Sequence, residues 1–208
     1  MCFSATASFI TGGTLTVVGG ATLSKSKNKK ELPLASIPFL FGIQQIIEGI
    51  IWVSFRSIFV NTIATYIYLF FAYVLWPILT PIAILLVETH PMRRRILQIF
   101  FVVGLVIGLY LLHSIITEPR KAHIINQSIA YNFHYAQNFF YVVPYVIVTT
   151  GSAIISSYKI LKFFGLFTLI AFFISKWFYS VTFVSVWCFF AAVLSLFIFL
   201  FFLKKTRD

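Results

Sequence analysis

The sequence predicts an all-α fold, a polytopic membrane bundle of seven transmembrane helices with the N-terminus outside and the C-terminus inside. Three observations predict it. The 208 residues are 60% hydrophobic and 10% charged, against about 25% charged in a soluble domain. The apolar residues come in runs near the length of about 20 that a spanning helix needs. Fourteen of the 16 lysines and arginines sit outside those runs, and the other two, Lys162 and Lys176, lie at the ends of the sixth. A formal charge of +11 suggests nucleic acid in a soluble chain; here it reports topology. No segment alternates as a membrane β-strand would, so the spans are helical.

The expected spans are Ser4–Leu23, Leu34–Phe55, Ala64–Val87, Ile96–Ile116, Phe139–Ser157, Leu161–Lys176 and Val181–Leu203. In the first, Ser4, Ser8, Gly12, Thr16 and Gly20 recur every fourth residue. Such small residues let helix backbones approach closely. The second run contains Glu48. The third carries Pro77 and Pro81, and the fifth Pro144; each proline removes a backbone hydrogen bond and predicts a kink. The sixth run is the shortest.

With the N-terminus outside, the inner side holds 12 of the 16 basic residues and the outer side 4, namely Arg56, Arg120, Lys121 and Lys176. The first run has no basic segment before it and is followed by lysines, so it is expected to remain as a helix and not to be cleaved as a signal peptide. The chain reads as a single domain, 1–208. Its longest connection, Thr117–Asn138, is rich in apolar and aromatic residues and is expected to lie on the membrane as a helix or to fold over the bundle.

Glu48 is the candidate centre of function. A carboxyl group at bilayer depth costs roughly 2.5–3.5 kcal/mol on insertion scales, so it faces a bundle interior and by default has a role. Gln44, Gln45 and Trp52 share its helical face. By depth alone, Cys2 and Ser4 from the first span approach the same level, as do His113 and Ser114 from the fourth. Tyr131, Asn132, His134 and Asn138 come from the long loop, and Ser185, Trp187 and Cys188 from the last span. These residues outline an outward-facing polar pocket, with Cys2, Ser4, Gln44, Gln45, Glu48, Trp52, His113 and His134 as the candidate ligand-binding set. Each also has a plainer reading. Glu48 can lock helices together by hydrogen bonding. His113 and His134 can anchor at the headgroups. Lys176 either snorkels outward or pairs with Glu48. Cys2 and Cys188 are either free thiols or a disulfide.

Chemical motifs are sparse. Glu48, His113, His134 and a cysteine make a chemically reasonable zinc set, but no HExxH, CxxC or HxxxH is present, and no metal is assigned. Walker, GxGxxG and GxSxG motifs are missing as well, which argues against nucleotide-driven transport within the chain. Cys2 or Ser4 with His113 would supply a nucleophile and base. No cofactor is indicated.

The opening MCFSATASF and the later FGIQQIIEGIIW resemble an uncharacterised bacterial family of multi-pass membrane proteins, a domain of unknown function. Its members share MCFSATASF and an FGxQQxxEGxxW helix. The resemblance implies a bacterial inner-membrane protein and no established reaction. It singles out Cys2, Ser4, Gln44, Gln45, Glu48 and Trp52.

The leading expectation is therefore binding or translocation of a small solute, cation or proton at Glu48. A metal-assisted or thiol hydrolase acting on lipid is the alternative, and a structural or sensory membrane subunit the third. The expected partners are the lipid bilayer and a small-molecule, ion or lipid ligand; nucleic acid is not expected.

Overall fold

The computed structural model describes residues 4–132 and 139–205. Among them the chain forms seven helical rods and one β-hairpin. The rods are α1 (Ala5–Ser24), α2 (Leu32–Val53), α3 with α4 (Ile58–Phe70 and Trp76–Val87), and α5 (Pro91–Thr117). They continue with α6 and α7 (Phe139–Val146 and Ser152–Ile155), α8 (Lys159–Phe178), and α9 with α10 (Phe183–Leu194 and Leu196–Lys205). Five rods are long and apolar enough to cross a membrane: Lys29–Val53, Ile58–Val87, Pro91–Thr117, Lys159–Phe178 and Phe183–Lys205. The segment Phe140–Ile155 is apolar but shorter.

Helix boundaries follow local chemistry. Ser4 caps α1, its hydroxyl accepting from the Ala7 N–H at 3.2 Å. Proline opens both α2 and α5, where its missing N–H costs nothing. The arginines at 93–95, expected in a loop, lie inside the first turns of α5. Arg94 there donates to the carbonyls of Leu85 and Glu88 at the end of α4. The expected kinks appear as π-turns. Phe71–Leu75 joins α3 to α4 just before Pro77, and Ile147–Gly151 joins α6 to α7 after Pro144. Both widen the helix where a regular ladder cannot continue.

Helix α1 packs along α2. The buried face of α1 is Ser8, Gly12, Leu15, Gly19 and Thr22. The expected every-fourth stripe holds only in its middle. Ser4 and Gly20 are exposed because a four-residue step overshoots a 3.6-residue turn and walks off the face. A Cβ on Gly12 would lie 2.7 Å from Ile46 Cγ1 and 2.9 Å from the Gly42 carbonyl. One on Gly42 would lie 2.6 Å from the Thr16 N and Oγ1. Here glycine is required by close approach.

In its described part, residues 118–132, the long connection is not a surface helix. It contains an antiparallel hairpin, β1 (Ala122–Ile125) and β2 (Ser128–Tyr131), with Ile125 opposite Ser128. Asn126 and Gln127 turn it with φ of 47° and 56°, the left-handed pair that a two-residue hairpin needs. β2 is inserted, not laid on top: Ser128, Ile129 and Ala130 are buried and β2 packs on α9. Arg120 fastens the hairpin base. Its guanidinium donates to the Ser114 carbonyl and hydroxyl at 2.5 and 2.9 Å and to the Asn132 carbonyl at 3.0 Å, and it pairs with Glu118 at 2.9 Å.

The loops gather at two ends. At the basic end Glu31 pairs with Lys205 at 2.7 Å, and Glu88 binds the segment between α7 and α8. The hairpin occupies the other end. Two apolar clusters fill the interior between them. One is built on Ile51, Tyr68, Leu111, Ile129 and Phe172, the other on Leu34, Phe41, Ala83, Leu161 and Phe202. Along α2, Gln44, Gln45 and Glu48 fall between the two clusters.

Candidate functional site

That polar layer is assembled by one helix and closed by four elements. α2 turns its two faces to different tasks. Gly42 and Gly49 approach α1, where a Cβ on Gly49 would meet the Phe9 ring at 2.7 Å. Gln44, Gln45 and Glu48 face the bundle interior, each with 0% exposure. A carboxyl and two primary amides at that depth must find partners within the protein.

Glu48 finds them on other elements. Ser185 of α9 donates its hydroxyl to Oε1 at 2.6 Å. Tyr131 of β2 donates to the same oxygen at 3.4 Å. Gln45 Nε2 donates to Oε2 at 3.4 Å. The Tyr68 hydroxyl of α3 is directed at the same carboxylate, and the Tyr68 and Tyr131 rings stack with centroids 4.8 Å apart. Among the described residues the ion pairs are Arg120–Glu118 and Lys205–Glu31; no cationic side chain pairs with Glu48.

Gln44 is held by α4. Trp76 Nε1 donates to its Oε1 at 2.8 Å, and the Trp76 ring stacks on Phe41 at 3.8 Å. Cys188 lies within interaction range of Gln44, Tyr68 and Glu48; it is a free thiol, 6% exposed. On this face of α2, Gln44 Nε2 and Gln45 Oε1 have no hydrogen-bond partner. Buried polar atoms are nearly always paired, and a primary amide such as that of Gln45 can turn either its oxygen or its nitrogen to Glu48.

Two small cavities adjoin the layer and share Tyr145, Trp187 and Cys188. One, about 30 Å³, is also lined by Tyr73 and Phe183. The other, about 40 Å³, reaches Trp76, Thr80, Thr149, Thr150 and Thr168 towards the basic end. The Tyr145 hydroxyl donates to the Ala72 carbonyl in the first π-turn, so the irregular backbone lies against this region.

The eight residues expected to form the pocket divide. Gln44, Gln45 and Glu48 come together. Trp52 is half-buried on the same helix, with Nε1 enclosed and unpartnered. Ser4 is exposed and engaged as a helix cap. His113 is exposed on α5, and its neighbour Ser114 is the residue that turns inward. The pairing of Ser4 with His113, and of either with Glu48, is therefore not made. Residue number along the helix does not decide which way His113 faces. Cys2 and His134 lie outside the described residues, and so does the choice between free thiols and a Cys2–Cys188 disulfide. Lys176 stands over the Phe183 ring at 4.6 Å and makes no ion pair with Glu48. Among the described residues no three His, Cys, Asp or Glu side chains converge to hold a metal. Tyr68 was not anticipated; as an aromatic within an apolar helix it carries no signal of its own, although its i+3 relation to Thr65 puts two hydroxyls on one face.

The chain belongs to DUF6629, a family of unknown function whose profile matches residues 1–208. No curated protein and no solved structure is detectably similar to it.

Proposed function

We propose that this chain is a multi-pass protein of the bacterial inner membrane whose enclosed Glu48 takes up and releases a proton, alone or in exchange for a small cation. One observation carries this reading. Glu48 is wholly enclosed by neutral donors from α2, α3, α9 and β2, while Gln45 Oε1 beside it has no partner. As an anion, Glu48 accepts from Ser185, Tyr131 and the Gln45 amide. As an acid, it needs an acceptor, and rotation of the Gln45 amide supplies Oε1. Hydroxyls and a primary amide can serve both states because each can re-aim its hydrogens. The cavities near the layer are too small for an organic solute, which favours a proton or small cation over a metabolite.

The thiol or metal-assisted hydrolase has less support, because His113 faces away and Cys188 has no histidine among its described neighbours. A purely structural role rests on the bonds from Trp76 to Gln44 and from Ser185 to Glu48, which tie α4 and α9 to α2. Infrared difference spectra separate the readings. On pH titration of the purified protein, a carboxylic C=O band should appear and vanish, and Glu48→Gln should remove it. Identical spectra from parent and variant would leave the structural latch. Passage of a proton also requires sidedness. The 12-to-4 distribution of basic residues supports the N-out, C-in arrangement with seven spans, and a C-terminal reporter active only in the periplasm would overturn it.

A further inference from the structure

At the basic end, away from Glu48, α8 and α10 enclose a notch of about 310 Å³ lined by Ser157, Tyr158, Lys159, Ile160, Phe201, Lys204 and Lys205. Its chemistry is uneven in an informative way. Lys205 is engaged by Glu31 at 2.7 Å. Lys159 and Lys204 are exposed and make no ion pair among the described residues. α8 begins at this notch without a side-chain cap, so its first N–H groups also lack an intrahelical or side-chain acceptor. Phe201 and Ile160 supply an apolar wall. Below the notch the outer faces of α8 and α10 present an apolar strip. Phe163 and Phe167 are exposed, the two rings stack at 6.3 Å, and Phe167 stacks on Phe197 at 5.8 Å.

We infer that this notch binds the phosphate of an anionic phospholipid, with the acyl chains lying on the aromatic strip. Two unpaired ammonium groups and an uncapped helix start are matched to a phosphodiester. A free phosphate would use the cations but not the strip. A zwitterionic lipid would use the strip but bring its own positive charge against Lys159 and Lys204. Continuity of cation and apolar surface is what selects the anionic lipid over both. The site does not depend on the role of Glu48.

The test is binding to the full chain in detergent, read by native mass spectrometry and by the thermal shift on adding lipid. Phosphatidylglycerol should bind and raise Tm. Phosphatidylcholine with the same chains, and inorganic phosphate, should do so far less. In Lys159→Gln/Lys204→Gln the phosphatidylglycerol affinity should fall roughly thirtyfold, from about fivefold per lysine. Lys159→Arg/Lys204→Arg should keep it, and Lys176→Gln at the other end should not matter. Equal binding of the zwitterionic lipid, equal effect of phosphate alone, or a double Gln variant that binds like the parent would each overturn the proposal. If the double Gln variant does not fold, the two single Gln variants are compared, and unchanged affinity in both overturns it.

Discussion

Glu48 and Glu88 are both buried carboxylates with several hydrogen-bond donors, and the donors differ in kind. Glu88 is 2% exposed and is held largely by backbone. Its Oε1 accepts from the Thr89 and His90 N–H at 3.0 Å and from the Ser157 hydroxyl at 2.5 Å, and Oε2 accepts from the Ser157 N–H at 2.7 Å. Arg93 donates to the same Ser157 hydroxyl at 2.7 Å. Backbone N–H groups cannot turn round to become acceptors, so this ring serves only an anion. Burial by itself pushes the Glu88 carboxyl up; the bonds from Ser157, His90 and Thr89 outweigh it and hold the group below its ordinary value. The donors around Glu48 are all side chains, two of them at 3.4 Å. A fixed ring of backbone donors makes a clasp. A ring of rotors makes a group that can change state.

The largest expected effect tests the clasp. Glu88→Gln puts an amide NH₂ or a single oxygen where two acceptors stood, so at least one buried donor loses its partner. The expected cost is about 3 kcal/mol, measured by denaturation in detergent. The pH dependence has a definite sign. A folded-state value below the unfolded one, near 4.3 for Glu, stabilises above that pH and loses its contribution as pH falls through the lower folded value. The gap between parent and variant should therefore close on acidification below about pH 4.3. A gap that widens there would show that Glu88 is held as a neutral acid and would erase the contrast with Glu48.

Next in size is the packing that sets the position of α2. Gly12→Leu forces a branched side chain against Ile46 and the Gly42 carbonyl. Overpacking should cost roughly 1–3 kcal/mol, and it should also disturb the Glu48 layer on the far face of the same helix. If the variant melts like the parent, α1 does not position the polar face of α2, and the comparison loses its structural basis. Smaller again is Ser185→Ala, which removes the shortest bond to Glu48. A membrane-interior hydrogen bond of this kind is worth about 1 kcal/mol, so Tm should fall slightly, less than for Glu88→Gln. An equal or larger loss would mean that Glu48 is clasped as firmly as Glu88.

The sequence discloses these two acids to different degrees, and the reason is physical. Glu48 stands out because an ionisable residue in an apolar run has a high cost, and Gln44 and Gln45 are read with it from helical spacing. Glu88 sits in a polar loop, where a carboxylate is cheap and carries no signal; its partner Ser157 is distant in sequence. Spans are legible for the same energetic reason, and their ends less so, because helices such as α5 extend past the apolar run through arginines. The partners of Glu48 were visible only as depth. Ser185 and Tyr131 do meet it, whereas His113 is exposed on α5. Depth follows from counting residues along a helix, but azimuth depends on which helix is the neighbour. The hairpin had a readable sign in AHII-NQ-SIAY, two short apolar strands around a polar two-residue turn, masked by the expectation that membrane loops rich in apolar residues are helical.

The smallest expected effect on stability is the most informative. Glu48→Gln keeps the shape and one oxygen to accept from Ser185, and its NH₂ can donate to Gln45 Oε1, which now lacks a partner. The amide thus imitates the protonated acid, and every member of the ring can adjust to it. The expected change is within about 1 kcal/mol, against the roughly threefold larger loss for Glu88→Gln. The same substitution should abolish the carboxyl infrared signal and any proton uptake that depends on it. Stability and protonation therefore separate at Glu48 and remain tied at Glu88. A Glu48→Gln variant that unfolds as readily as Glu88→Gln would show that the anion is needed for folding, and the rotor ring would then be a second clasp and not a site that changes state.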